Sequence, residues 1–238
     1  MIRRHRDLLL VHFPANALLL WLAYEWLGVD ESSTGKLLLS TFDALAILTL
    51  VCWLYGATMV WFRSPKPKLN DAFRAALGHL GALLGLAVAV LAAYGLISEA
   101  SAVIGQPALK IASWLTWTLR TPVRPGGITA IFQTVFWLLR WAILPVLLLP
   151  VAAGIATQGR AGWRELRMRH PWRQWVLVPL IALATFWLPL LIVNWKPKSG
   201  SFGLELASFG IRALIAYGLF VLGNVMLQAF PQHPIHRR

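Results

Sequence analysis

Six runs of mostly apolar residues, each roughly twenty or more long, follow one another along this chain with only short polar segments between them. A helix rising ~1.5 Å per residue needs a run of that length to cross a ~30 Å hydrocarbon layer. The runs occupy about 8–27, 37–62, 75–97, 128–153, 175–195 and 204–230. The composition is 58% hydrophobic and 13% charged, against ~25% charge in an ordinary soluble domain, so water is not the main solvent. The chain is read as all-α: a polytopic transmembrane helix bundle of about six spans, forming one membrane domain over residues 1–238. Arg3, Arg4 and Arg6 before the first run imitate a secretory signal, but no small-residue cleavage site follows, which predicts a retained first span.

Residues 98–127 break the pattern, with Gly105, Pro107, Pro122, Pro125, Gly126 and Gly127 punctuating a mixture of polar residues and tryptophans. Pro107 suits a first helical turn. At helical spacing Ala108, Ile111, Ala112, Leu115 and Leu119 share one face, and Gln106, Lys110, Ser113 and Arg120 the other. This stripe predicts an interfacial amphipathic helix over about 107–120, with Trp114 and Trp117 near headgroup depth.

The net charge of +13 raises nucleic-acid binding as a reading, but the basic residues sit in short segments flanking the apolar runs and form no continuous basic face. Anionic headgroups and the positive-inside bias account for them, so no nucleic-acid partner is expected. With six spans, fourteen Lys and Arg fall on the side of both termini and six on the other; a seventh span over 102–119 would reduce the asymmetry to eleven against nine. Both termini are therefore expected on the cytoplasmic side of a cytoplasmic (inner) membrane, with the interfacial helix on the outer face.

Arg140 and Arg212 lie inside predicted spans, where an arginine costs ~2.5–3.5 kcal/mol near the bilayer centre. By residue count, Asp43 is ~9 Å and Arg212 ~12 Å below the outer boundary, with Arg140 slightly deeper. These depths allow a candidate intramembrane charged cluster: Asp43 with Arg140 or Arg212, and Glu25 or Glu205 nearer the surface. Such a cluster reads either as a charged cavity on a transport path or as an ion pair that fixes helix order.

The remaining features have modest readings. Arg160, Arg164, Arg167, Arg169 and Arg173, interleaved with Trp163 and Trp172, are candidate contacts to anionic lipid. Gly81 and Gly85, with Gly78 one turn earlier, predict close helix packing within the chain or between subunits. His12 and His79 are expected as hydrogen-bonded packing histidines. Cys52, the single cysteine, is expected as a buried, inert thiol. His233 and His236 lack carboxylate or thiolate companions, so no metal is assigned. Thr34, Gly35 and Lys36 imitate the end of a phosphate-binding loop without its earlier glycine or preceding strand, and no protease, hydrolase or dinucleotide-binding motif is present.

With small loops and no reactive constellation, the leading expectation is a non-enzymatic scaffold or accessory subunit without cofactor. Its partners would be membrane lipids and a membrane protein or a second copy of the chain. A connected polar cavity holding Arg140 and Arg212 would favour a small transporter instead, and a polar cleft at headgroup depth beneath residues 102–120 a lipid-modifying enzyme.

Overall fold

The computed structural model describes residues 6–30, 32–65, 68–167, 171–195 and 201–230, and no strand occurs among them. Among these residues six helices are long and apolar enough to cross a membrane, the shortest of 22 residues. At ~1.5 Å per residue even that one exceeds a ~30 Å hydrocarbon layer.

Helix α1 (Arg6–Leu27) begins with Asp7 in its first turn and contains Pro14. The turn after it is locked by Asp30, whose carboxylate accepts from Ser32 N at 3.0 Å and Lys36 Nζ at 2.8 Å. Lys36, followed by Ser32, holds the Asp30 carboxyl below its usual range. Ser33 then caps α2 (Thr34–Arg63), accepting from Lys36 N at 3.4 Å. Thr34, Gly35 and Lys36 are thus the first turn of a capped helix.

The third span does not start at residue 75 as its apolar run predicts. His79, with φ −112 and ψ 9, leaves helical geometry and divides the segment into α3 (Leu69–Gly78) and α4 (Leu80–Ala102). The span-length helix is α4. The cause is tertiary: α3 is held to α2 by Trp53 Nε1 donating to the Phe73 carbonyl at 2.9 Å, with the two rings edge to face at 5.4 Å. A carbon added at Gly78, Gly81 or Gly85 meets no atom of another element within 4 Å, so these glycines make no close packing among the described residues.

Helix α5 (Gly105–Leu119) has 15 residues and is not among the span-length helices. Ala108 and Ala112 are buried, whereas Trp114 and Trp117 are exposed. The helix ends at Arg120 in the left-handed region, and Thr116 Oγ1 accepts from Val123 N at 3.0 Å. The fourth span comprises α6 (Pro125–Leu138), a π turn over Leu139–Ile143 and α7 (Leu144–Gln158). Pro145 has no N–H to return to the Trp141 carbonyl, and the extra residue is wound in just before it. A 3₁₀ segment (Gly159–Arg167) then folds back against α7. Helices α8 (Trp172–Asn194) and α9 (Phe202–Ala229) complete the bundle. They approach closely at Gly223, where an added carbon would lie 2.1 Å from Thr185 Oγ1.

Core clusters fix the directions of the spans. Leu8 near the start of α1 packs with Trp61 near the end of α2, Ala72 of α3 and Val225 near the end of α9. Leu83 and Leu86 near the start of α4 meet Met59 and residues Val151 to Ala156. Val178 of α8 meets Val146 and Leu227. Neighbouring spans therefore alternate in direction. We call the end where α1 begins proximal and the opposite end distal. Most of the buried core is proximal: α6 buries no residue, and α4 none beyond Leu86. Distal surfaces such as Leu96, Phe42 and Leu204 are apolar and more than 60% exposed, which suits contact with hydrocarbon.

Candidate functional site

The structure does not bring the five predicted intramembrane charges together. Glu25 and Glu205 are exposed, and Asp43, Arg140 and Arg212 are half-buried. Among the described residues no ion pair joins any two of them; the pairs present are Lys36–Asp30 and Arg63–Glu165. Arg212 instead caps α8. Its Nη1 donates to the carbonyls of Val193, at 3.0 Å, and Trp195, its Nε donates to Ser208 O at 3.1 Å, and its guanidinium lies 5.9 Å from the Phe209 ring centroid. The last carbonyls of a helix lack partners and carry its negative pole, so an arginine from the next helix satisfies both at once. Arg140 sits on the π turn, where its carbonyl accepts from Tyr94 Oη at 2.7 Å, and its buried Nε has no partner among the described residues.

Of the basic loop, Arg160 and Arg164 on the 3₁₀ segment and Arg173 at the start of α8 are exposed, with Arg173 6.0 Å over the Trp172 ring. Arg169 and the side chain of Arg167 lie outside the described residues, as do His233 and His236. The loop is not uniformly open to the surroundings. Glu165 is buried, its carboxylate 3.6 Å from Arg63 Nη1, and Gly159 has φ +61 with the His79 ring packed over it.

Neutral polar side chains organise the interior. His12 is fully buried, with Nε2 2.7 Å from Thr58 Oγ1, and Thr58 donates onward to Leu54 O at 2.8 Å. Asn16 Nδ2 donates to His12 O at 2.8 Å and Nδ1 at 3.1 Å, while Tyr55 Oη donates to Asn16 Oδ1 at 2.6 Å. Since Nδ1 accepts, the pattern assigns the proton to Nε2 and leaves the imidazole neutral. Tyr217 Oη of α9 donates to Phe13 O, tying a third helix to this chain of bonds. Replacing Asn16 by leucine strands Tyr55 Oη and His12 Nδ1. A loss of roughly 1–2 kcal/mol is expected, since hydrogen bonds between membrane helices average ~0.6 and reach ~1.7. Thermal unfolding in detergent measures it, and an unchanged transition would show that the network is dispensable.

Beside this network lies a cavity of about 430 Å³, walled by α2, α4, the π turn, α7, α8 and α9. Its surface is almost wholly apolar, made by residues such as Val51, Leu86, Val90, Leu148 and Phe186. No lining residue is charged; the polar ones are Cys52, Tyr55, Tyr94, Asn224 and Gln228. Tyr55 and Tyr94 donate their hydroxyl protons to Asn16 and to the Arg140 carbonyl, and Asn224 Nδ2 donates to Phe220 O at 2.9 Å. On α2 the lining runs from Leu48 to Met59 and on α4 from Leu83 to Tyr94. Each interval spans ~16 Å of helix axis, so the cavity is elongated along the bundle.

Comparison with family models, curated proteins and solved structures finds no match. The cavity therefore stands on its own chemistry. Among the described residues no three His, Cys, Asp or Glu side chains converge as a metal site would require. Attention to charge alone passes over the residues that matter here. The legible signal is uncharged: Asn16, Tyr55, Tyr94, Asn224 and Gln228 interrupt apolar runs in which every polar group needs a partner.

Proposed function

We propose that this chain is a non-enzymatic accessory component of the cytoplasmic membrane, with both termini cytoplasmic, whose cavity holds the hydrocarbon part of a lipid-like molecule. The observation that carries this reading is the uncharged, elongated lining of a cavity of about 430 Å³. Ligand sites of ~300–1,000 Å³ are mostly apolar with a few placed polar groups, and this cavity has that make-up. A path for ions or polar solutes would require polar walls, yet neither Arg140 nor Arg212 lines it. Helix α5 contributes no lining residue, which speaks against a headgroup-depth cleft beneath it. On this reading Arg160, Arg164 and Arg173 face the anionic headgroups of the cytoplasmic leaflet.

Purification from native membranes in gentle detergent, with extraction and mass spectrometry of retained lipid-like molecules, tests the reading. The wild type is expected to retain a defined species near one per chain. Ala87→Phe fills the cavity from α4 and is expected to lower that retention about tenfold, equivalent to ~1.4 kcal/mol, without loss of helicity. Equal retention by the two proteins would remove the cavity as the binding site.

A further inference from the structure

Two opposite charges stand unpaired at one level of the bundle. Leu83 of α4 is level with the stretch of α2 between Cys52, whose Sγ is 3.9 Å from the Leu83 carbonyl, and Gly56, where an added carbon would lie 2.6 Å from Leu83 Cδ1. A step of ~16 Å distally from Leu83 reaches Tyr94, whose hydroxyl donates to the Arg140 carbonyl. A step of ~14–20 Å distally along α2 from that stretch reaches Asp43. Both charged residues are half-buried. The Arg140 Nε is closed off, but its two terminal nitrogens and the Asp43 oxygens are not, and among the described residues none of these atoms has a hydrogen bond or ion pair. Against hydrocarbon, an ionised group in this state calls for an opposite charge from outside its own chain.

Helix α4 stands between the two. Around the cavity it is flanked by α2 on one side and by the π turn on the other. Leu83, Leu86, Val90 and Tyr94 turn one face of α4 to the cavity. Gly85, Val88, Ala92 and Gly95, recurring at helical spacing, occupy the opposite face, and all four are exposed. A carbon added at Gly85 or Gly95 meets no atom of another element within 4 Å. Side chains this small let a second helix come close in a membrane.

We propose that a second copy of the chain, inserted in the same direction, packs its α4 on this face about a two-fold axis parallel to the bundle. Such an axis keeps every residue at its own level and sets α2 of one copy opposite α6 and the π turn of the other. Asp43 of each copy then pairs with Arg140 of the partner subunit, and two ion pairs close the contact. Charge complementarity selects a second copy as the occupant, since one chain carries both halves of the pair and joins neither within itself. This face points away from the cavity, so the pairing is independent of what the cavity holds.

The test uses the full chain, first in membranes and then in mild detergent. In a Cys52→Ala background, Val88→Cys is expected to form an oxidative cross-link between copies, and Leu180→Cys, 58% exposed on α8, is not. Light scattering over a dilution series is expected to give the mass of two chains for the wild type. Asp43→Arg and Arg140→Asp are each expected to weaken association at least tenfold, the scale of a close charge pair across an interface, and the joint exchange to restore it. Gly85→Leu meets nothing in its own chain, so it is expected to fold and to weaken association as well. If an exchanged protein does not fold, Asp43→Asn, Arg140→Gln and their combination form the cycle, in which the combination is expected to lose no more than either single change. A wild type of one-chain mass at every dilution, or cross-linking at Leu180→Cys as ready as at Val88→Cys, would overturn the pairing of copies. Association that the joint exchange leaves as weak as the single changes, or neutral changes whose losses simply add, would overturn the Asp43–Arg140 pair and leave Arg140 to lipid phosphate.

Discussion

Gly162→Ala is expected to unseat the 3₁₀ segment from α7 and to destabilise the protein by about 3 kcal/mol, the upper end of the usual range for overpacking. A carbon added there would lie 2.1 Å from Ile155 N, 2.2 Å from the Gly154 carbonyl carbon and 2.6 Å from Ile155 Cα. All three are backbone atoms of a helix whose neighbouring residues Val151, Ile155 and Ala156 are fully buried, so none can yield as a side-chain tip would. Cys52 provides the readout: the single thiol is half-buried and becomes reactive to a maleimide dye on unfolding. The midpoint should fall by several degrees. Gly81→Ala, where nothing lies within 4 Å, should leave it in place. Equal midpoints for the two variants would show that the segment and α7 are not in contact.

Loss of the Arg63–Glu165 pair is expected to cost about 3–5 kcal/mol, the range for removing one member of a buried ion pair. The side chains are 7% and 11% exposed, and Arg63 Nη1 also donates to Thr157 Oγ1 at 3.4 Å. Glu165→Leu takes the counter-charge from a guanidinium that has little water to replace it. The joint variant Arg63→Met/Glu165→Leu should recover most of the loss, because it removes both buried charges together. Dye-reactivity melts of both single variants, the joint variant and the wild type form the cycle. If the joint variant is as unstable as Glu165→Leu, charge matching is not what holds the segment.

Spans are legible in this chain because run length is a local property: the apolar run 175–195 becomes α8, Trp172–Asn194, and 204–230 becomes α9, Phe202–Ala229. The break at His79 is not legible, since Gly78 and His79 fit a helical pattern and the bond from Trp53 to Phe73 that holds α3 aside joins two separate helices. Residue counts gave depth for Asp43, Arg140 and Arg212 but not rotation about the helix axis, and a partner at the right level can face the wrong way. Arg212 shows a second omission: the carbonyls at the end of α8 also accept from a guanidinium, and they carry no mark in the sequence. Glu165 was hidden among arginines in a stretch that reads as lipid-facing, and only the fold of the 3₁₀ segment brings it to Arg63. The cavity is the least legible feature, because it is a volume that side chains of several helices fail to fill, and no single residue records it.

The uneven placement of the core has a mechanical consequence. A sheaf bound near its foot and loose above resists bending at one level of the membrane and yields at the other. Leu91, Leu96, Phe42 and Leu204 are more exposed than covered by their own chain, so parting those helices breaks few contacts within the molecule. On the proposed reading, a guest already dissolved in the bilayer would reach the interior sideways, shedding hydrocarbon contacts on one side as it gains them on the other, without meeting water on the way.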